Sequence, residues 1–341
     1  MKLYQTFEKF FSGHPYRNFL LTGFILLMIP LFHGFGVISS GTLGIWAYII
    51  IITVVALGLN ILLGFSGLIS LGTAGFVGAG ALGTGVLMNL GLPFEIAALL
   101  SVVIAGALGA LIGFLSLKVE GLYLAIATLF VGEILRQIYT QVEVFGGQML
   151  RIGAIDFLGF ITLSANPPAE RRILFVIIVL FLIAMMLLMY HLTQSKTGRA
   201  LLAMSRSESA AQAMGIVILK YRLVAFVTAT VFASVGGVMY ALYFQNVPTT
   251  AWTLDLSLFI IAMVVVGGFK SIYGTLLGAF IIHGIPNLIL KEILGDVSYI
   301  FSGALIIGVI LFYPYGAVQL FYDAKKKILQ WTRHKEKGVK S

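Results

Sequence analysis

Residues 43–63 read LGIWAYIIIITVVALGLNILL, an apolar stretch without a charged side chain. As a helix, a stretch of this length crosses a hydrocarbon core of roughly 30 Å. A helix also satisfies its own backbone hydrogen bonds, which lipid cannot do. The stretch therefore predicts a transmembrane helix, and similar runs on both sides of it predict a bundle of such helices.

The composition agrees with lipid as the main solvent. Of the 341 residues, 60% are hydrophobic and 10% are charged, and the mean hydropathy is +1.04. Soluble domains carry roughly 25% charged residues, so the composition excludes an ordinary soluble domain. The chain contains no cysteine, which excludes disulfide bonds and thiolate metal ligands.

The apolar runs predict an all-α polytopic membrane protein with about ten transmembrane helices. The first run is longer than the roughly 7–15-residue core of a signal peptide, so we interpret it as a retained helix. The predicted spans are residues 19–37, 43–63, 67–89, 94–117, 121–141, 172–192, 221–244, 252–269, 274–290 and 298–313.

The basic residues favour one orientation of these spans. With a cytoplasmic N-terminus, most of the 22 lysines and arginines fall on the cytoplasmic side, as the positive-inside rule requires. Both termini are therefore predicted to be cytoplasmic. This divides the chain into a cytoplasmic segment 1–18, a transmembrane domain 19–315 and a basic cytoplasmic tail 316–341. Membrane orientation explains the net charge of +9, and we expect no nucleic-acid partner.

Glycines concentrate around the third predicted span and allow two interpretations. One is tight helix packing alone. The other is a broken or re-entrant helix that lines a polar path, which Ser66, Ser70 and Thr73 favour because they interleave with the glycines there. Two further pairs have the four-residue spacing that predicts close helix contacts: Gly109 with Gly113, and Gly274 with Gly278.

Polar residues in the fifth span add candidates for this path. Glu133 and Arg136 are spaced i, i+3 and are predicted to pair across one helical turn, either as a functional charge or as a structural brace. Tyr123 and Thr128 precede them and offer hydroxyl groups. We therefore count Tyr123, Thr128 and Glu133 among the path candidates.

Two predicted loops are long: residues 141–171 outside and residues 193–220 inside. Within the inner loop, Ser205 and Glu208 have the spacing of a capping box, and Gly215 supplies a stop. These signals predict a short helix of about nine residues that does not cross the membrane but runs along its surface.

The apolar side chains of this short helix predict a small apolar surface, formed by Ala210, Ala211, Ala213 and Met214. This surface would either dock into a groove on a partner or lie on lipid headgroups.

The remaining polar residues predict neither a catalytic centre nor a metal site. Asn60, His283 and Asn287 are expected to find partners inside the bundle. With five histidines and no acidic residue paired with them, no ligand set can be assembled. The sequence also lacks a GxxxxGK[ST] motif, so any ATPase must be another polypeptide.

Five segments in the same order resemble the M-type permease subunit of branched-chain amino acid ABC importers, over roughly residues 57–315. They are LNILLGFSGLISLGTAGFVGAGA at 59–81, LKVEGLYLAIATLFVGEILR at 117–136, SKTGRALLAMSRSESAAQAMGI at 195–216, KYRLVAFVTATVFASVGGVMYALY at 220–243 and VVVGGFKSIYGTLLGAF at 264–280.

The resemblance implies an ABC importer permease architecture in a bacterial inner membrane. It implies a non-catalytic subunit that translocates branched-chain or similar small amino acids, without a cofactor of its own. The implied partners are a second homologous permease subunit, two cytoplasmic ATPase subunits that carry ATP and magnesium, and an external substrate-binding protein. The resemblance also assigns ATPase coupling to Ser205, Glu208, Ala210, Ala211 and Gly215.

Two alternatives remain at this point. Permeases of the same family also serve urea and short-chain amides. An ion-coupled secondary transporter would need acidic residues near the membrane midplane and internal repeats, and Glu133 alone meets the first condition.

Overall fold

The described part of the chain is a bundle of helices with two small strand pairs. The computed structural model describes residues 15–116, 122–145, 147–157, 161–295, 303–304, 307–308, 311 and 316–317. The helices are α1 (Pro15–Gly34), α2 (Ser40–Asn60), α3 (Thr73–Asn89), α4 (Phe94–Ser116), α5 (Leu122–Gln141), α6 (Pro168–Gln194), α7 (Lys196–Arg206), α8 (Glu208–Ala213), α9 (Ile218–Phe244), α10 (Leu254–Gly267), α11 (Ile272–Ala279) and α12 (Lys291–Leu294).

Six helices in this part of the chain are long and apolar enough to cross a membrane. They are Tyr16–Gly34, Ser40–Phe65, Phe94–Phe114, Pro168–Gln194, Ile218–Phe244 and Ile272–Ile293. The last of these joins α11 to α12 through two π-helical turns, Phe280–Gly284 and Pro286–Leu290. This confirms a multi-pass helical membrane protein. The count of ten spans and the cytoplasmic location of both termini stay predictions. The span at 298–313 lies mostly outside the described residues, as do Lys118, residues 1–14 and nearly all of the tail.

Helix α9 forms the centre of the bundle and packs against α2, α3 and α4. It meets α3 at backbone distance, because a Cβ on Gly80 would overlap the carbonyl oxygen of Ser234, and one on Gly237 would overlap that of Val77. Small residues permit this approach. Packing therefore accounts for the glycines at the α3–α9 crossing.

Both glycine pairs with four-residue spacing also lie at close helix contacts. A Cβ on Gly109 of α4 would overlap the Thr230 side chain of α9. A Cβ on Gly278 of α11 would overlap the carbonyl oxygen of Met263 in α10. These predictions are confirmed.

The prediction of a helix over residues 67–89 was wrong at its beginning. Helix α2 continues as a π-helical turn, Ile61–Phe65, and the backbone is then irregular until α3 begins at Thr73. Gly67 has a φ of 74°, which a right-handed helix excludes. Of the two interpretations of the glycines, a broken helix describes this segment, and its role in lining a polar path stays a prediction.

Two short antiparallel strand pairs lie in the predicted outer loops. Strand β1 (Met149–Arg151) pairs with β4 (Asn246–Pro248), and β2 (Ile155–Phe157) pairs with β3 (Ile161–Leu163). The all-α prediction omitted them. The β1–β4 pair joins segments that are far apart in sequence, so local pattern carries little signal for it.

Candidate translocation path and coupling site

The irregular segment 66–72 is held inside the bundle by polar contacts with two other helices. Thr128 of α5 accepts a hydrogen bond at Oγ1 from the Leu71 N–H at 3.0 Å. Just after the segment, the Ala74 N–H donates to Ser257 Oγ of α10, also at 3.0 Å. Irregular backbone in a membrane protein is tolerated where protein satisfies its polar groups, and these contacts satisfy the N–H of Leu71 and, just beyond the segment, that of Ala74.

The three path candidates around this segment are all buried. Ser66 donates its hydroxyl to the Leu62 carbonyl of α2 at 2.5 Å, so it caps the broken helix. Ser70 and Thr73 line a small cavity of about 10 Å³ together with Thr230 of α9. That volume holds about one water molecule. Sequence reasoning had not selected Thr230.

A larger cavity of about 230 Å³ lies between α3, α5 and α10. Its wall includes Glu133 from the predicted path. Trp252, Thr253 and Ser257 contribute the opposite side, and sequence reasoning missed all three. A Ser in an apolar helix was the available signal for Ser257. Trp252 could not be told from a packing aromatic residue without the tertiary structure.

Glu133 and Arg136 form the predicted ion pair. Arg136 Nε lies 2.9 Å from Glu133 Oε2, and Arg136 Nη2 lies 2.5 Å from Oε1. Gln137 Nε2 also donates to Oε1, at 3.0 Å. The pair is only half-covered, with the Glu133 side chain 42% exposed and that of Arg136 25% exposed.

The remaining path candidates, Thr128 and Tyr123, differ in their surroundings. Thr128 is fully buried, and its hydroxyl is used to hold segment 66–72. Tyr123 is 73% exposed near the beginning of α5. The structure therefore groups Ser70 with Thr73, connects Thr128 to the same segment, and leaves Tyr123 apart from them.

The inner loop folds into two helices, α7 and α8, and its cap differs from the prediction. Ser207, not Ser205, is the N-cap of α8, and its Oγ accepts a hydrogen bond from the Ala210 N–H at 3.3 Å. Ser205 belongs to the last turn of α7 and donates to the Leu202 carbonyl. The capping box was therefore wrong. Residues 205–206 continue α7, and the extended backbone of Ser207 provides the break.

The predicted stop at Gly215 is confirmed. Gly215 has a φ of 80°, and its N–H donates to the Gln212 carbonyl. The Ile216 N–H donates to the Ala211 carbonyl at 3.0 Å. These two hydrogen bonds form a Schellman motif, which ends α8 sharply.

Only part of the predicted apolar surface of α8 is available. Ala210, Ala213 and Met214 are exposed, and Met214 is 83% exposed. Ala211 is 3% exposed and packs into the core, so it does not belong to an outward face.

Glu208 has a partner that sequence reasoning missed. Both of its carboxylate oxygens accept hydrogen bonds from Arg222 Nη2, at 2.5 and 2.6 Å. The Arg222 side chain is 9% exposed and that of Glu208 39%. Because Arg222 is in the first part of α9, the pair connects the short helix to the central helix of the bundle.

Helix α7 lies close to the broken segment. A Cβ added to Gly67 would lie 3.6 Å from the Ser205 Cβ, so the two backbones leave room between them for little more than a methyl group. Segment 66–72 thus approaches α7 at one end and lines the larger cavity at the other, where Leu71 lies.

Asn60, His283 and Asn287 find partners, as expected. Asn60 Nδ2 donates to Thr275 Oγ1 at 2.8 Å, and its Oδ1 accepts from the Lys270 N–H at 2.9 Å. Asn287 donates to the His283 carbonyl at 2.9 Å. Among the described residues, no group of three or more histidines and acidic side chains is arranged to hold a metal ion.

Comparison with known proteins agrees with this architecture. Residues 41–310 match the family model of the permease component of branched-chain amino acid transport systems. No solved structure matches the chain significantly.

Three relatives illustrate the range of similarity. The high-affinity branched-chain amino acid transport system permease protein LivM of Escherichia coli (strain K12) is 29% identical over 83% of this chain and 71% of its own length. The probable branched-chain amino acid transport permease protein LivH of Methanocaldococcus jannaschii is 31% identical over 66% of this chain and 75% of its own. The fructose import permease protein FruG of Bifidobacterium longum is 25% identical over 57% and 59%.

The family match extends over most of the sequence, including the broken segment, the α7–α8 pair and the central helix α9. On this evidence the chain belongs to the permease family of branched-chain amino acid transport systems.

Proposed function

We propose that this chain is one of two permease subunits of an ATP-driven importer that moves branched-chain or similar small amino acids across a bacterial inner membrane. Two ATPase subunits would bind ATP and magnesium in the cytoplasm, and an external binding protein would deliver the solute. In this assembly the chain has about ten spans with both termini in the cytoplasm. Family membership carries the proposal.

The relatives support the class of solute and the pairing of two permeases. LivM and LivH relatives are both named as branched-chain amino acid permeases, and this chain is similar to both. Two related permeases of this kind would enclose a path between them. The fructose permease is a more distant relative, so a sugar is the alternative solute that the comparisons motivate.

Helix α8 supports coupling to an ATPase. It exposes Ala210, Ala213 and Met214, which suit a groove on a partner. A Schellman motif fixes its end, and the Glu208–Arg222 pair attaches it to α9. A short helix held at both ends transmits a push as a rigid body. We assign coupling to Glu208, Ala210 and Gly215, with Ser207 as the cap.

Two connections would carry this movement into the membrane. Through Arg222, α8 acts on the central helix α9. Through the close approach of Ser205 to Gly67, α7 would act on segment 66–72, whose far end contacts Thr128 and lines the larger cavity. ATPase closure would thus move backbone that borders the cavity.

The test uses the complete importer, with its ATPases, second permease and binding protein, in sealed vesicles. We expect ATP-dependent uptake of leucine, isoleucine or valine. Urea, acetamide and fructose serve as competing solutes. Uptake of fructose or urea in place of the amino acids would contradict the proposed solute.

A second experiment tests the coupling surface. Because the chain has no cysteine, Ala210→Cys introduces a single thiol on the exposed face of α8. A short thiol-to-amine cross-linker should join it to the ATPase. Ala211→Cys, one residue on but buried, is the matched control and should not react. Absence of cross-linking from Ala210→Cys in an importer that takes up leucine would contradict the coupling role.

A further inference from the structure

The cavity between α3, α5 and α10 combines an apolar wall with a charged one. Leu71, Leu129 and Leu254 supply apolar surface, and Glu133 supplies a carboxylate. At about 230 Å³ the cavity is smaller than the roughly 300–1,000 Å³ of drug-sized ligand sites, so it suits one small solute.

Hydrogen-bond donors also border the cavity. Trp252 lies in its wall and is 3% exposed, and its indole N–H has no acceptor among the described residues. A buried donor without a partner is costly and calls for an acceptor.

Two helices begin at this cavity. Helix α3 begins at Thr73 and α10 at Leu254, and neither Gly72 nor Thr253 caps its helix with a side chain, although Ser257 Oγ accepts from the Ala74 N–H in the first turn of α3. Helix N-termini carry partial positive charge and favour anionic groups.

Glu133 lines the cavity with a carboxylate that stays partly exposed although Arg136 and Gln137 hydrogen-bond it. Its side chain is 42% exposed on a helix whose neighbouring Phe130 and Ile134 are 61% and 58% exposed. A carboxylate facing hydrocarbon is costly, whereas one facing a water-filled path or a polar solute is not. The Arg136 pair balances the charge without covering the carboxylate.

We propose that this cavity is a solute subsite for an amino acid. The Glu133 carboxylate pairs with the ammonium group of the amino acid, and the Trp252 N–H donates a hydrogen bond to its carboxylate. The leucines then surround the aliphatic side chain. This inference rests on the proposed function and adds to it the residues that bind the solute. Asp255, in the first turn of α10, is exposed and stays outside this assignment.

Protection from a thiol reagent tests the site directly. Leu129→Cys places one thiol in the wall of the cavity of an otherwise cysteine-free chain, and Phe130→Cys places the matched control on the exposed face. The complete importer is labelled while it turns over ATP with its binding protein and leucine. With leucine at about ten times its half-protecting concentration, labelling of Leu129→Cys should slow about tenfold, since only unoccupied sites react. The control should be unchanged.

The role of the ammonium group is tested with 4-methylpentanoate, which is leucine without that group, and with second substitutions. We expect 4-methylpentanoate not to protect. Glu133→Gln should abolish protection by leucine, whereas Arg136→Gln, which breaks the same ion pair but keeps the carboxylate, should retain it.

Three results would overturn the assignment. They are leucine uptake by the importer without protection of Leu129→Cys, protection that survives Glu133→Gln, and equal loss of protection in Glu133→Gln and Arg136→Gln. In all three the proposed function stands, because uptake is measured separately. An importer that takes up no branched-chain amino acid would overturn the proposed function together with this subsite.

Discussion

The two glutamate–arginine pairs have similar distances but different positions in the structure. Glu133 and Arg136 lie one turn apart on α5, and their closest atoms are 2.5 Å apart. Glu208 and Arg222 are also 2.5 Å apart, but they belong to α8 and α9 and are separated by a turn of the chain. The first pair lies within one helix and connects no second element to it. The second fixes one helix on another, so it can transmit movement.

Burial makes the same distinction. The Arg222 side chain is 9% exposed, whereas that of Arg136 is 25% exposed. A charge that is buried in a pair becomes costly when its partner is removed, because water cannot replace the partner. A half-exposed pair is worth little. Replacement of Glu208 should therefore cost more stability than replacement of Glu133.

The largest effect is expected for Glu208→Gln. It removes the carboxylate that accepts two hydrogen bonds from the mostly buried Arg222, at a cost of about 2 kcal/mol, as for hydrogen bonds to a charged group. We expect a lower melting temperature of the purified subunit and reduced leucine uptake per ATP hydrolysed. The exchanged pair, Glu208→Arg with Arg222→Glu, should restore part of both. Wild-type uptake per ATP in Glu208→Gln would contradict coupling through this pair.

A smaller effect is expected for the cap of α8. Ser207→Ala removes the side-chain acceptor of the Ala210 N–H and should cost about 1 kcal/mol, typical of an N-cap serine. Ser205→Ala is the matched control, since Ser205 bonds within α7. Thermal unfolding of the two variants distinguishes them. A larger loss in Ser205→Ala would restore the capping box that the sequence suggested.

The smallest effect is expected for the stability contributed by the Glu133–Arg136 pair. A double-mutant cycle of Glu133→Gln and Arg136→Gln should give a coupling energy below about 0.5 kcal/mol, as for other i, i+3 pairs. The same cycle for Glu208 and Arg222 should give a coupling at least several times larger. Equal coupling energies would remove the distinction between a local and a connecting pair.

Features that depend on neighbouring residues in the sequence could be predicted more often than features that depend on distant ones. The Glu133–Arg136 pair and the stop at Gly215 were predicted, because each depends on residues within a few positions. The break near Gly67 was one of two interpretations that the sequence left open. The exact cap of α8 was missed by two residues, since Ser205 and Ser207 are equally good caps and the end of α7 decides between them.

Other features depend on residues from distant segments and could not be predicted. The Glu208–Arg222 pair, the inward packing of Ala211 and the β1–β4 strands each require the approach of two elements. The cavity is of this kind too, because Trp252 and Glu133 come from helices whose relative position no local pattern specifies. The path assignments all stay predictions: Ser66, Ser70, Thr73, Tyr123, Thr128 and Glu133.

The sequence by itself determined that this chain is a helical membrane protein, since apolar length leaves the backbone no other way to satisfy its hydrogen bonds in lipid. It also determined where the short inner helix stops, because Gly215 adopts a positive φ that other residues disfavour. Only the tertiary structure decided which polar groups meet, because membrane helices with similar apolar surfaces are distinguished by close packing at small residues and by a few buried polar contacts.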